Sequence, residues 1–236
     1  MHNKKMLIYS GTTMVIALLL LIAVFCVSPV KKISSYNKSS SNNSNSSLIK
    51  TPETVEFDKA SGNLNVSFIL VEKDLNDILY NSMKDSISVD GVETDISQSD
   101  VKVYINSYVL QAIPTQYILD FTPDIKNNTL TLNLKSAKMG RISMPKGAVL
   151  NNLKENASDY ISVNKDNSSI SIDKKAVAPF KITSFNMDEG KLRLNLNYQI
   201  KSITDITGLL SNNMPEGITN YVKKCLIVSL MMILKF

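Results

Sequence analysis

The chain predicts an α+β fold: one N-terminal transmembrane helix, then a β-rich antiparallel sheet packed with a few amphipathic helices. Three observations carry this. An uncharged apolar run lies near the N-terminus, a Ser/Asn-rich stretch follows it, and beyond Leu48 several segments alternate apolar and polar residues with a period of two.

From Met6 to Val30 no side chain carries a charge, and Leu18, Leu19, Leu20, Leu21 and Ile22 form its centre. A bilayer core needs about 20 apolar residues in a helix, and this run meets that. A cleaved signal peptide is the alternative, but its apolar region is normally about 7–15 residues and ends in a small-x-small site. Here Cys26, Val27 and Ser28 precede Pro29, a poor cleavage site, and Phe25 before Cys26 is a poor lipoprotein signature. The reading is an uncleaved signal anchor. Lys4 and Lys5 flank one end, and Lys31, Lys32 and Lys38 the other, so positive-inside counting does not assign the direction. A short N-terminal tail that stays in the cytoplasm is the default, which puts the long C-terminal part on the extracytoplasmic side of the cell membrane.

Ser34 to Ser47 is nearly all Ser and Asn. Such a segment cannot repay the entropy of folding and reads as a flexible linker. The expected organisation is therefore a short tail (1–5), an anchor (6–30), a linker (31–50), a β-rich extracytoplasmic domain (51–203) and a helical or apolar C-terminal tail (204–236). The linker is expected to hold the domain near a membrane surface without pressing it there.

Within the domain, Leu64, Val66, Phe68 and Leu70 alternate with polar or opposite-face residues. So do Val101, Val103 and Ile105, then Leu130, Leu132 and Leu134, then Leu192, Leu194, Leu196 and Tyr198. Period two means strands with one buried and one wet face. Weaker strands are expected at 161–163, 170–172 and 180–185. An aromatic residue, a polar turn and an alternating strand recur at Phe57–Val66, Phe121–Leu132 and Phe185–Leu194, which suits hairpins and a curved, meander-like antiparallel sheet. Two amphipathic helices are expected. Lys73–Lys84 places Leu75, Ile78, Leu79 and Met83 on one face, and Lys146–Glu155, introduced by Pro145, carries Val149, Leu150 and Leu153. Ile203–Leu210 could form a short helix, and Cys225–Leu234 is apolar all round but too short to span a bilayer.

The chemistry of the sequence is sparse. The single histidine is His2, ahead of the anchor, and the two cysteines are Cys26 and Cys225. This leaves the domain no His-based nucleophile and no His or Cys zinc site. The net charge of +5 is spread along the chain, which gives no nucleic-acid footprint. Ser-x-x-Lys recurs along the chain, as at Ser35/Lys38, Ser143/Lys146, Ser162/Lys165 and Ser171/Lys174; of these four only Ser143/Lys146 falls at a strand-to-helix turn where the side chains could converge, and a capping serine explains it more simply. Asp90, Glu93, Asp95 and Asp100 form an acidic run whose spacing is not an EF-hand loop, and a solvated loop is the simpler reading. The expectation is no enzyme, no metal, no cofactor and no catalytic residue.

The order of several motifs resembles the YpmS-like family of bacterial membrane-anchored proteins, which has no assigned activity. The resemblance runs from about Val66 to Ile200. It rests on Glu72-Lys73-Asp74-Leu75-Asn76, Phe121-Thr122-Pro123-Asp124, Leu130-Thr131-Leu132, Gly140-Arg141-Ile142-Ser143-Met144-Pro145 and Val149-Leu150. It implies location and layout, not mechanism. Two functional expectations follow. The helices could roof an apolar groove for a lipid or other amphiphile, lined by Leu75, Ile78, Leu79, Met83, Val149, Leu150 and Leu153. Alternatively these residues are core, and the domain is a structural or interaction protein of the cell envelope that docks a protein partner.

Overall fold

The computed structural model describes residues 2–36, 52–58, 60–83, 89–155, 161–172, 178–202, 204 and 205, with the side chains of the first helix described from Thr12 onward. Most of the expected linker and the tail from 206 to 236 lie outside these residues. Helix α1 runs His2–Val27. Among the described residues no helix is long and apolar enough to cross a membrane.

The period-two segments form antiparallel strands, as expected. In β2 (Asn63–Val71), Leu64, Val66 and Phe68 are buried; in β4 (Val101–Val109), Val101, Val103 and Ile105 are. The last strand, β11 (Lys191–Gln199), buries Leu192, Leu194 and Leu196. The two amphipathic segments are helices, α2 at Glu72–Met83 and α3 at Lys146–Glu155.

The expected single meander is instead two sheets. One has the order β1-β2-β11-β10, with β1 at Thr54–Asp58 and β10 at Lys181–Asp188, and so joins the two ends of the domain. The other has the order β3-β4-β5-β6-β9-β8, and only its first four strands are a meander. Its members are β3 (Gly91–Ile96), β4, β5 (Ile113–Lys126), β6 (Thr129–Met139), β8 (Ile161–Asn164) and β9 (Ser169–Ile172), with the short β7 (Ile142–Ser143) also pairing with β6. Alternation reports which face of a strand is wet, not which strand is its neighbour. Here α2 follows β2 without a turn residue between them, so β2 cannot form a hairpin with β3 and pairs with β11 instead.

The two sheets have separate cores linked by the long β5–β6 hairpin. Leu130 and Ile125, near its Asn127-Asn128 turn, pack with Leu64, Val66, Phe68, Ile182 and Leu196. Leu119, Phe121, Leu134 and Ala137, further along, pack with Val103, Ile105 and Leu150. A bulge in β6 opposite Asp120/Phe121 makes the second half possible. Phe121 faces Leu134 while Asp120 faces Ser136, so Lys135 is the extra residue. Leu134 and Ala137, an odd number of positions apart, thereby reach the same core.

The free edge of β3 is closed by side chains of α2. Asn76 accepts from the Thr94 amide at 2.7 Å, and Glu72 accepts from the Ile96 amide at 2.8 Å. An edge strand with paired amides offers no template for another chain. Gly190, in the β10–β11 turn, donates to Ile96 O at 2.9 Å, and the Glu72 amide donates to Gly190 O at 3.4 Å, so the same corner ties the two sheets together.

Leu150 is wholly buried between α3 and the sheet. Leu150→Ala is expected to destabilise the full chain in detergent by about 2–5 kcal/mol, read as a lowered urea midpoint with an unchanged slope. A loss below 1 kcal/mol would mean that α3 does not seal this core.

Candidate functional site: the junction of the N-terminal helix with the sheet

A helix leaves its last four carbonyls without helical partners. In α1 all four are satisfied, and three of them from the domain. Val24 O accepts from the Ser28 amide at 3.0 Å. Phe25 O accepts from Arg141 Nη1 at 2.7 Å and from Ser28 Oγ at 2.8 Å. Cys26 O accepts from the Arg141 amide at 2.8 Å. Val27 O accepts from Thr115 Oγ1 at 2.6 Å. The Arg141 guanidinium also lies 4.2 Å from the centre of the Phe25 ring. A cation at a helix C-terminus is favoured by the helix dipole.

Gly140 allows this approach. Its φ is +57°, and a Cβ there would lie 2.5 Å from Cys26 O and 2.6 Å from Val27 C. A side chain would meet backbone that has nowhere to move, in a conformation L-residues rarely adopt.

The chain then crosses the sheet as a strap. Gln116, wholly buried, holds its start with every hydrogen-bonding position of its amide in use. Its Oε1 accepts from the Val30 amide at 3.1 Å and the Lys31 amide at 2.9 Å; its Nε2 donates to Lys31 O at 2.7 Å and to Asn106 Oδ1 at 2.9 Å. Lys31 Nζ reaches Glu93 at 2.8 Å and Asp95 at 2.7 Å and lies over the Tyr104 ring. Burial disfavours the Lys31 charge, but the hydrogen bonds to Asp95 and Glu93 outweigh it and hold the ammonium protonated well beyond the usual lysine range. These side chains are about one-third exposed or more, so such pairs contribute at most about 1 kcal/mol. The strap's position comes mainly from its backbone bonds.

Ile33 is buried, and Gly91 lets the strap pass, since a Cβ there would lie 2.5 Å from Ser34 O. The strap ends at Tyr36. Its amide donates to Asp90 O at 2.9 Å, its ring stacks on Tyr80 of α2 at 4.1 Å, and its hydroxyl donates to Asp77 at 2.9 Å. Burial and then the Asp77 carboxylate push its pKa well above the ordinary tyrosine value.

Lys31–Tyr36, the first residues of the expected linker (31–50), lie against β5, β4 and β3 in turn. Composition groups Ser34 and Ser35 with the Ser/Asn run and does not report the backbone bonds at Lys31 and Tyr36, which act here beside the side chains of Lys31, Ile33, Ser35 and Tyr36.

The other sequence candidates fall as follows. Leu79, Met83 and Leu153 pack half-buried against the core of the larger sheet, where Val149 and Leu150 are buried. Leu75 is half-buried, and the Ile78 side chain lies outside the described residues. The acidic run is dispersed: Glu93 and Asp95 hold Lys31, Asp90 accepts from Ser35, and Asp100 accepts from Lys135 at 3.0 Å and Thr122 at 2.9 Å. Among the described residues no group of three or more metal-ligating side chains converges. Ser143 and Lys146 are both exposed, with no hydrogen bond between them. The residues that build the junction, Gln116, Thr115, Gly140 and Arg141, were not singled out for it by sequence reasoning. Their one signal is Thr115-Gln116, two consecutive polar residues inside an apolar strand. No family model matches this chain, and neither a curated protein nor a solved structure does.

Gln116→Ala would strip partners from the Val30 and Lys31 amides and from Lys31 O. The expected loss is about 2–3 kcal/mol, accompanied by new proteolytic cleavage between 28 and 36. Stability within 0.5 kcal/mol of the parent and no new cleavage would show that the strap is held elsewhere.

Asp100 is held below the usual carboxylate range, first by the hydrogen bond from Lys135 and then by that from Thr122. A folded pKa below the unfolded one gives stability that is present above about pH 4 and lost as the pH falls through the folded value. Asp100→Asn is therefore expected to flatten the acid limb of a stability-versus-pH curve below about pH 4. An unchanged limb would refute this assignment.

Proposed function

We propose that the chain is a single-pass membrane protein whose β-rich domain is joined to its anchor through a fixed junction and acts on the extracytoplasmic side by binding rather than catalysis. The observation that carries it is α1. The apolar side chains from Met14 to Ile22 stand out from the domain, Met14 77% and Leu21 68% exposed, and Phe25, which meets Arg141, is still 60% exposed. Aliphatic residues in such number are not left in water, and the uncharged run of the sequence from Met6 to Val30, which begins ahead of the described side chains, is long enough for a bilayer core. The resemblance to the YpmS-like family agrees with this placement.

Between the two binding readings, an interaction protein of the cell envelope is favoured. Val149 and Leu150 are core, so the helices that would roof an apolar groove already use those side chains to close the fold. A lipid or amphiphile lying against Val149 and Leu150 would have to displace α3.

Protease treatment of intact cells tests the placement, with cleavage expected in the domain without lysis; full protection until lysis would contradict it. Native mass spectrometry after gentle extraction separates the readings. A bound protein is expected, and a retained lipid without a protein would favour the groove.

A further inference from the structure

The geometry points to a second membrane contact: the β4–β5 and β6–β7 turns seat the domain on the bilayer that α1 enters. This rests on the anchor reading of α1. Outside that helix, the large apolar side chains that are exposed among the described residues are Val30, Tyr108, Leu110 and Ile142. Scattered single residues of this kind are ordinary on a surface; these four share one end of the domain. Val30 is in the strap, on Gln116. Tyr108 and Leu110 lie at the β4–β5 turn, with Tyr108 opposite Pro114, next to Thr115, which binds the end of α1. Ile142 follows Arg141 and pairs with Met139, which itself faces Tyr117. β4 and β6 are parallel to each other within the antiparallel sheet, so their C-terminal turns point the same way, beside the exit of α1.

The turn chemistry singles out Leu110. Residues Leu110 and Gln111 have φ of +51° and +59°, and the Ala112 amide donates to Val109 O, within a three-residue loop (110–112) between the paired Val109 and Ile113. At the opposite end of β5, Asn127 and Asn128 take the same left-handed φ, +54° and +59°, in the two-residue turn between Lys126 and Thr129. Asn adopts that conformation much more readily than Leu. A leucine there carries a local backbone cost, and at 84% exposed its solvation is unfavourable as well unless its surroundings are apolar. A tyrosine alongside and basic residues behind the tips (Lys138 and Arg141) match the chemistry of a headgroup interface. The occupant is thus the lipid surface itself, continuous with the apolar face of α1.

Because the chain has no tryptophan, single tryptophans report depth directly. The full chain is reconstituted in phosphatidylcholine/phosphatidylglycerol vesicles whose acyl chains carry bromine, a contact quencher. Leu110→Trp and Ile142→Trp are expected to lose most of their emission and to shift to shorter wavelength. Ile22→Trp in α1 should be quenched as well, while Lys126→Trp, about 40 Å away along β5, should not be. Quenching at 22 without quenching at 110 or 142 overturns this contact and leaves the anchor standing. No quenching at 22 overturns the anchor reading and the contact with it. Quenching at 126 equal to that at 110 overturns the end-on seating.

Discussion

The end of α1 needs hydrogen-bond partners, and the architecture follows from how they are supplied. Four carbonyls at a helix C-terminus are ordinarily left to water or to a local cap. Here Thr115 and Arg141 from the larger sheet take three of them, and Gln116 then holds the first residues beyond. Removing one such partner from a buried polar group costs more than the bond contributes. The helix, the strap and the start of β5 are therefore expected to hold or fail together, with Ile33 as a buried apolar side chain of the strap.

The β5–β6 hairpin carries that constraint through the molecule. One end grips α1 through Thr115, Gln116, Gly140 and Arg141. Its middle packs Phe121, Leu134 and Ala137 into the core beneath α3. Its far end places Leu130 in the core of the smaller sheet, and Asn128 Nδ2 donates to Ile182 O at 3.1 Å. In the membrane-anchored reading, the domain's distance and attitude to the bilayer are then set by a strand pair and not by a flexible tether.

Much of the fold was legible because it depends on side-chain periodicity. Leu64–Phe68, Val101–Ile105 and Leu192–Leu196 each bury one face at the positions their alternation marks, and Pro145 introduces α3 as its fixed φ allows. Partner choice was not legible. Pairing β2 with β11 rather than with its sequence neighbour is a long-range outcome, and no local pattern near Asn63 or Lys191 encodes it. The junction was the least legible part, because its bonds run from polar side chains to backbone. Gln116 looks like an ordinary wet-face residue of a strand, and Gly140 looks like an ordinary turn glycine until Cys26 and Val27 are placed against it.

Hydrogen exchange of the full chain in lipid nanodiscs tests the junction most directly. If Gln116 holds the strap as one body with the sheet, the Val30, Lys31 and Tyr36 amides will exchange as slowly as those of β4 and β5. Exchange of these three at the rate of an unstructured peptide, with the β4 and β5 amides still protected, would contradict the account.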